Sequence, residues 1–347
     1  MSALENAKRF WKDFSKREPE IKKALINEDY EKCQELILDL DEYAYAHFGC
    51  HFFVDNAYSD FEMTWDTGPN KTTQYLASMV CETAPVSIQK SWILQPFLPP
   101  LSQKAIQAQV QIKDEIYSLT DFLLFYEPQE AQNTWKCWIY CPGFSLIPNA
   151  ENKREMSIYL LEMALGQCAY EAYVGEVDSL DAPDPNRAFC NLVDAYETFM
   201  DQVEKKGWKT YSSPLDIYSV YQPIKEIADD SFRKDMKFLF TTHPLFTEDT
   251  IEGNSDVLKD LEAKEGEFGT IYYGNLFGSR EDALFRQQLS MQLGKAFIPY
   301  AKVIAGSIGK SFSYIDVIVF DREQFNLGLQ KIQKKLDKQV KLYYQKF

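Results

Sequence analysis

The chain has 347 residues, 45% hydrophobic and 15% aromatic, with 52 acidic against 37 basic side chains, three histidines and a formal net charge of −15. That apolar content excludes wholesale disorder, the length asks for two domains rather than one core, and the charge excludes nucleic acid as a general partner. No apolar run is long enough to span a membrane and the first residues carry no signal core, so a cytoplasmic protein is expected, its seven scattered cysteines reduced.

Two amphipathic helices open the chain. Ala7, Phe10, Trp11 and Phe14 recur at helical spacing, and the stripe resumes at Ile21, Ala24 and Leu25 beyond Pro19. Tyr30, Cys33, Leu36, Ile37, Leu40 and Tyr43 form a second such face, and both are expected to bury against a sheet. Cys50–Asp55 and Ser59–Thr67 flank the turn Asn56-Ala57-Tyr58 and read as a hairpin. A helix over Thr72–Glu82 stops at Ala84-Pro85. Strands are expected at Ser91–Phe97, Ala108–Ile112, Leu119–Tyr126 and Thr134–Tyr140. A helix over Lys153–Leu165 closed by Gly166 then leads into a strand over Cys168–Val177.

Two prolines and three aspartates between Asp178 and Asn186 disfavour regular structure, and the charge balance changes there. Residues 1–182 hold 28 acids and 15 bases, whereas residues 183–347 hold 24 and 22. The expected organisation is therefore an acidic α+β domain over residues 1–180, a linker at 181–190 and a second domain over 191–347. That second domain reads helix (Leu192–Lys205), strand (Met236–Thr242), helix (Ser255–Lys264), strand (Phe268–Tyr273) and helix (Arg280–Leu293). Strands at Tyr300–Ala305 and Phe312–Phe320 follow, then a final helix with the stripe Phe325, Leu329, Ile332, Leu336, Val340 and Tyr343, lined by six lysines from Lys331 to Lys346. The fold class expected is α+β, each domain a mixed or antiparallel sheet covered by helices, the second a ferredoxin-like sandwich.

The motifs that could carry chemistry read as structure. Ala305-Gly306-Ser307-Ile308-Gly309-Lys310-Ser311 has the lettering of a phosphate loop, but only two residues part its glycines and a strand follows, so a hairpin turn is expected. Asp66-Thr67-Gly68 matches the aspartic-protease tripeptide without the second aspartate that this chemistry needs. His47 and His51 could share a metal on a helix, yet Gly49 ends the helix between them, and His243 before Pro244 reads as a turn residue. Cys137 and Cys141 are strand-spaced, and no Ser, Cys or Thr stands in a nucleophile elbow. No catalytic residue, metal site or cofactor is expected.

Two interaction signals remain. Residues 33–152 hold 15 acids and 5 bases, and Asp55, Asp60, Glu62 and Asp66 fall within twelve residues. Aromatic side chains stand beside these charges at Tyr58, Trp65, Trp135, Trp138, Tyr170 and Tyr173, where packing into a core competes with a role in an interface.

The N-terminal half resembles a group of bacterial cytosolic α+β proteins of unknown function. The resemblance rests on the Phe10-Trp11 helix, the segment Phe61-Glu62-Met63-Thr64-Trp65-Asp66-Thr67-Gly68, and two helix-to-strand passages. These are Ala84-Pro85 to Ser91-Trp92-Ile93, and Ala164-Leu165-Gly166-Gln167 to Tyr170-Glu171-Ala172-Tyr173-Val174-Gly175. The second half is similar in outline to small sandwich domains found near ribonuclease-regulator and toxin-immunity proteins, through Tyr314-Ile315-Asp316-Val317-Ile318-Val319-Phe320-Asp321 before a long helix. The resemblance implies a binding or regulatory role and transfers no functional residue.

The expected function is accordingly a non-enzymatic binding protein, immunity- or inhibitor-like, that docks a basic protein partner through Asp55, Asp60, Glu62, Trp65 and Asp66. The alternative is an enzyme of unrecognised type with a carboxylate-lined cleft between the domains. Neither nucleic acid nor a membrane is expected as a partner, and the sequence sets no oligomeric state.

Overall fold

The computed structural model describes residues 1–57, 60–102, 105–222 and 233–347. It is a mixed α+β protein in which several sheets are covered by helices. The chain divides into two compact units, Met1–Pro96 together with Tyr218–Phe347, and Phe97–Ile217.

The first unit opens with α1 (Ala3–Ile26), started by a capping box in which Ser2 and Glu5 satisfy each other's backbone N–H. The helix runs through Pro19, which has no N–H to give to the ladder. Next, α2 (Tyr30–Phe48) ends at Gly49 in the left-handed region (φ 78°), a conformation only glycine adopts cheaply. The hairpin follows as β1 (His51–Ala57) and β2 (Asp60–Asp66); Tyr58 and Ser59 of its expected turn lie outside the described residues. After α3 (Lys71–Glu82), a short α4 (Val86–Ser91) starts at Pro85, and β3 (Trp92–Gln95) pairs parallel to β2. Phe10 and Phe14 of α1 pack on Phe52, Trp65 and Trp92 of this sheet at ring separations of 5.3 to 5.4 Å, so the first helix buries against strands as its periodicity predicts.

The second unit holds the small hairpin β4 (Gln109–Ile112) and β5 (Glu115–Ser118), and a four-stranded sheet. That sheet is built from β6 (Leu123–Gln129), β7 (Thr134–Tyr140), β8 (Val174–Leu180) and β9 (Ala188–Asn191), in the order β8-β7-β6-β9. Helices α5 (Ala150–Tyr173) and α6 (Ala195–Lys206) pack on it around Trp135, Phe144, Leu161, Leu165 and Phe199. Two expectations differ here. The linker anticipated at 181–190 falls inside this unit: residues 181–187 are the loop that carries the chain across the sheet from β8, and 188–190 already belong to β9. The strand anticipated over Cys168–Val177 is helical to Tyr173, because Gly166 (φ 70°, ψ 157°) kinks α5 without ending it. Residues 98–101 cross the kink and take its freed backbone groups: Gln167 N–H donates to Leu98 C=O at 2.9 Å and Leu101 N–H to Ala164 C=O at 3.3 Å.

The first unit resumes with β10 (Ser219–Tyr221), β11 (Met236–Thr241), α7 (Pro244–Glu252), α8 (Asp256–Ala263) and β12 (Glu267–Gly274). It closes with α9 (Arg280–Phe297), β13 (Ala301–Gly309), β14 (Phe312–Val319), α10 (Arg322–Gln333) and β15 (Tyr343–Lys346). The sheet is antiparallel throughout, in the order β10-β11-β13-β14-β12-β15. Its part β12-α9-β13-β14-α10-β15 is the split βαββαβ arrangement of a ferredoxin-like sandwich, with β11 and β10 added beyond β13. The glycine-rich segment is the β13–β14 hairpin, turning at Lys310 and Ser311, as expected. The long final helix is not formed, since α10 ends at Gln333. Its side chain bridges Val340 C=O and Leu342 N–H, folding the chain back so that β15 covers the open edge of β12. A helix continued through Lys334, Lys335 and Lys338 would also set like charges at i, i+4.

The two stretches of the first unit are joined by main-chain bonds from Ala3 N–H to Glu265 C=O and from Leu4 N–H to Phe320 C=O, each 3.1 Å. Regrouped by unit, the charge asymmetry reverses: 34 acids and 28 bases in the first against 18 and 9 in the second.

Candidate functional site

The acidic residues singled out in the sequence lie on the β1–β2 hairpin. The register pairs His51 with Asp66, Asp55 with Glu62 and Ala57 with Asp60, so all four carboxylates lie on one face of the ribbon. From Asp60 to Asp66 that face extends about 20 Å. Asp55, Asp60 and Asp66 are exposed and Glu62 is half-buried. Asp55 and Glu62 stand directly opposite, an arrangement that costs stability unless a cation relieves it. Trp65 does not belong with them. It alternates to the other face and is fully buried among Phe10, Phe48 and Phe52, so it offers no surface to a partner. Of the other aromatic residues, Trp135, Trp138 and Tyr173 are core, Tyr170 is half-buried, and Tyr58 lies outside the described residues.

Beside this ribbon runs a groove that the sequence did not announce. It has a volume of about 370 Å³ and is lined by Tyr30, Cys33, Gln34, Ile37, Leu38 and Asp41 of α2 and by Phe52, Phe53 and Val54 of β1. The helix buries only a narrow stripe, Cys33, Leu40, Ala44 and Phe48. A second stripe at Tyr30, Ile37, Leu38 and Tyr45 stays partly or mostly open, with Leu38 56% and Tyr30 57% exposed. The i, i+7, i+8 and i+15 spacing was there to be read; what hid it was the assumption that every apolar face of a helix finds the core. Asp41 fixes the groove, its carboxylate accepting from Phe52 N–H at 2.9 Å and meeting His51 Nδ1 at 2.7 Å, with the His51 ring stacked on Tyr45. Asp29 and Asp55 lie close enough to Cys33 to add to the effect of burial, which pushes that thiol up.

Several groups elsewhere that could act as nucleophiles or acids are held in structural roles. Burial pushes the thiols of Cys50, Cys81 and Cys137 far up, and those of Cys141 and Cys190 to about 11, against thiolate formation. Burial would raise Glu18 too, but hydrogen bonds from Lys22, Trp92 and Ser91 outweigh it and hold the carboxyl below its usual range. His47 faces Asn6 at 3.1 Å. His243, expected in a turn, is the buried N-cap of α7. Among the described residues no three His, Cys, Asp or Glu side chains are grouped to hold a metal ion, and no helix is long and apolar enough to cross a membrane.

Comparison with protein-family models, with curated proteins and with solved structures gives no match. The functional reading rests on the chain's own residues.

Proposed function

We propose that this is a non-enzymatic cytoplasmic binding protein, immunity- or inhibitor-like, that docks a basic protein partner through the acidic surface of α2, β1 and β2. One observation carries the reading: residues 29–66 hold ten carboxylates against one lysine, and Asp55, Asp60, Glu62 and Asp66 share one face of the hairpin. A surface of this kind steers a cationic partner at long range and sets its orientation. A partner that binds nucleic acid through a basic face would have that face masked, and a standard interface of about 1,600 Å² is sufficient for the purpose.

The test is capture of partners from the native host by the tagged protein, at about 50 and about 500 mM salt, beside the variant Asp55→Asn/Asp60→Asn/Glu62→Gln/Asp66→Asn. The reading expects a basic protein held at low salt by the native chain and lost from the variant. Equal capture by both, with the same salt dependence, would sink it.

A further inference from the structure

We propose that the groove between α2 and β1 is the seat for an amphipathic helix of the basic partner, its apolar side chains entering the groove and its lysines or arginines meeting the surrounding carboxylates. The inference rests on the docking reading above and adds to it a place and a shape.

Three observations point to this occupant. The first is unfinished burial: α2 presents Tyr30, Ile37, Leu38 and Tyr45 along one side, and β1 adds Phe53, 46% exposed. A helix face left this apolar within a strongly charged surface is the signature of a contact surface. The second is charge. The groove lies within the stretch where ten acids meet one lysine, with Asp41 in its wall and Asp29 and Asp55 near its floor at Cys33. An apolar segment with acidic flanks would be repelled there, and one with basic flanks attracted.

The third observation chooses a helix over a strand. β1 is the edge of its sheet, and an open edge invites an added strand. Two of its amides are already engaged, however: Phe52 N–H donates to Asp41 at 2.9 Å and Asn56 N–H to Asp55 at 2.7 Å. Carboxylates placed on alternate edge amides blunt strand addition while leaving the apolar side chains open. The wall from Tyr30 to Asp41 is about 16 Å long, matching three turns of a partner helix.

The experiment uses the full-length protein and four labelled peptides of about twelve residues, followed by fluorescence anisotropy. One carries leucines at helical spacing among lysines, one is its scrambled isomer, one replaces lysine by glutamate, and one alternates leucine and lysine as a strand would. The first is expected to bind at least about tenfold tighter than the others, and Leu38→Ser/Phe53→Ser to weaken it by about tenfold. Leu38→Gln alone serves as the milder variant, and both positions are open enough to leave the melting temperature unchanged. Binding of the scrambled isomer with equal affinity, preference for the alternating peptide, or no binding by the first peptide at millimolar concentration would each overturn the inference. If the fourfold acid variant weakens the first peptide and the Leu38 and Phe53 changes do not, the groove is wrong and the acidic docking surface stands. If neither matters, both readings fall.

Discussion

Mild acid is expected to destabilise the first unit through one side chain, His243. The imidazole is buried, its Nδ1 accepts Phe246 N–H at 3.1 Å, and its Nε2 therefore carries the proton that it shares with Thr72 Oγ1 at 2.9 Å. A second proton would have to sit on Nδ1, facing an amide hydrogen. Burial accordingly pushes the pKa from 6.5 down to about 3, with Lys71 adding to the shift. The unfolded chain takes up this proton below pH 6.5 and the folded chain does not until about 3, so the contribution is complete above 6.5 and is lost as the pH falls between those values. The slope is about 1.4 kcal/mol per pH unit, or about 2 kcal/mol between pH 7.5 and 5. His243→Asn keeps a cap acceptor and removes the titration. It is expected to cost about 1–2 kcal/mol at pH 7.5 through the lost bond to Thr72. Urea unfolding followed by tryptophan fluorescence at several pH values should show the gap between native and variant closing as the pH falls to 5. Two stability curves that stay parallel over that range would refute the argument.

Other consequences can be checked independently. Gly166→Ala would place a Cβ against Pro100 and force a side chain into a backbone conformation reserved for glycine. A loss of at least about 1–3 kcal/mol is expected, with faster hydrogen exchange at Leu101 and Gln167; an unchanged melting temperature would contradict it. Asp316→Asn strips the bidentate partner from Arg233, held at 2.5 and 3.2 Å in the interior. It should cost about 3–5 kcal/mol in chemical denaturation, much of it recovered by removing both charges in Arg233→Met/Asp316→Leu. Glu62→Gln relieves the repulsion across from Asp55, so a gain of about 0.2–1 kcal/mol is expected at low salt, fading in high salt; a loss would show that Glu62 has a cation to hold. The thiols of Cys33, Cys50, Cys81, Cys137, Cys141 and Cys190 should react with a disulfide reagent at pH 8 far more slowly than in urea, and one reacting at the free rate would count against its burial.

Local physics was easy to read in this chain and long-range packing was not. The stripe of Phe10, Trp11 and Phe14, the stop at Gly49, the hairpin turn at Lys310-Ser311 and the strand–helix succession from β12 to α10 follow from spacing and turn chemistry within a few residues, whereas β15, inside the stretch expected to continue the last helix, does not. The unit boundary was misplaced because Pro183 and Pro185 mark any solvated loop, whether or not it joins domains. Pro96, Pro99 and Pro100, at the exit from the first unit, carry the same signal, and the strand expected over Ser91–Phe97 runs through the first of them. Cys168–Tyr173 has strand-like composition but is held helical by residues 98–101, a contact that no local window contains. At the candidate site, acidity and the hairpin were legible. The inward turn of Trp65 was available from its alternation with Asp66, and the uncovered stripe of α2 required knowing which neighbours the fold supplies.

The first unit is assembled from two stretches separated by the whole of the second, and this bears on how the protein is made. When Pro96 leaves the ribosome, α1 still lacks Glu265 and Phe320, the carbonyl partners of its first turn. At about 5–20 residues per second, the 224 residues from Pro96 to Phe320 take roughly 10 to 45 s to synthesise. Residues 97–217 are contiguous and can reach their native packing within that interval, reversing the usual order in which the N-terminal unit folds first. Throughout it, residues 1–96 stand without the antiparallel sheet of their unit, and within them the stretch 29–66, ten acids to one lysine, sets up mutual repulsion between neighbouring nascent copies that keeps the uncovered stripe of α2 apart.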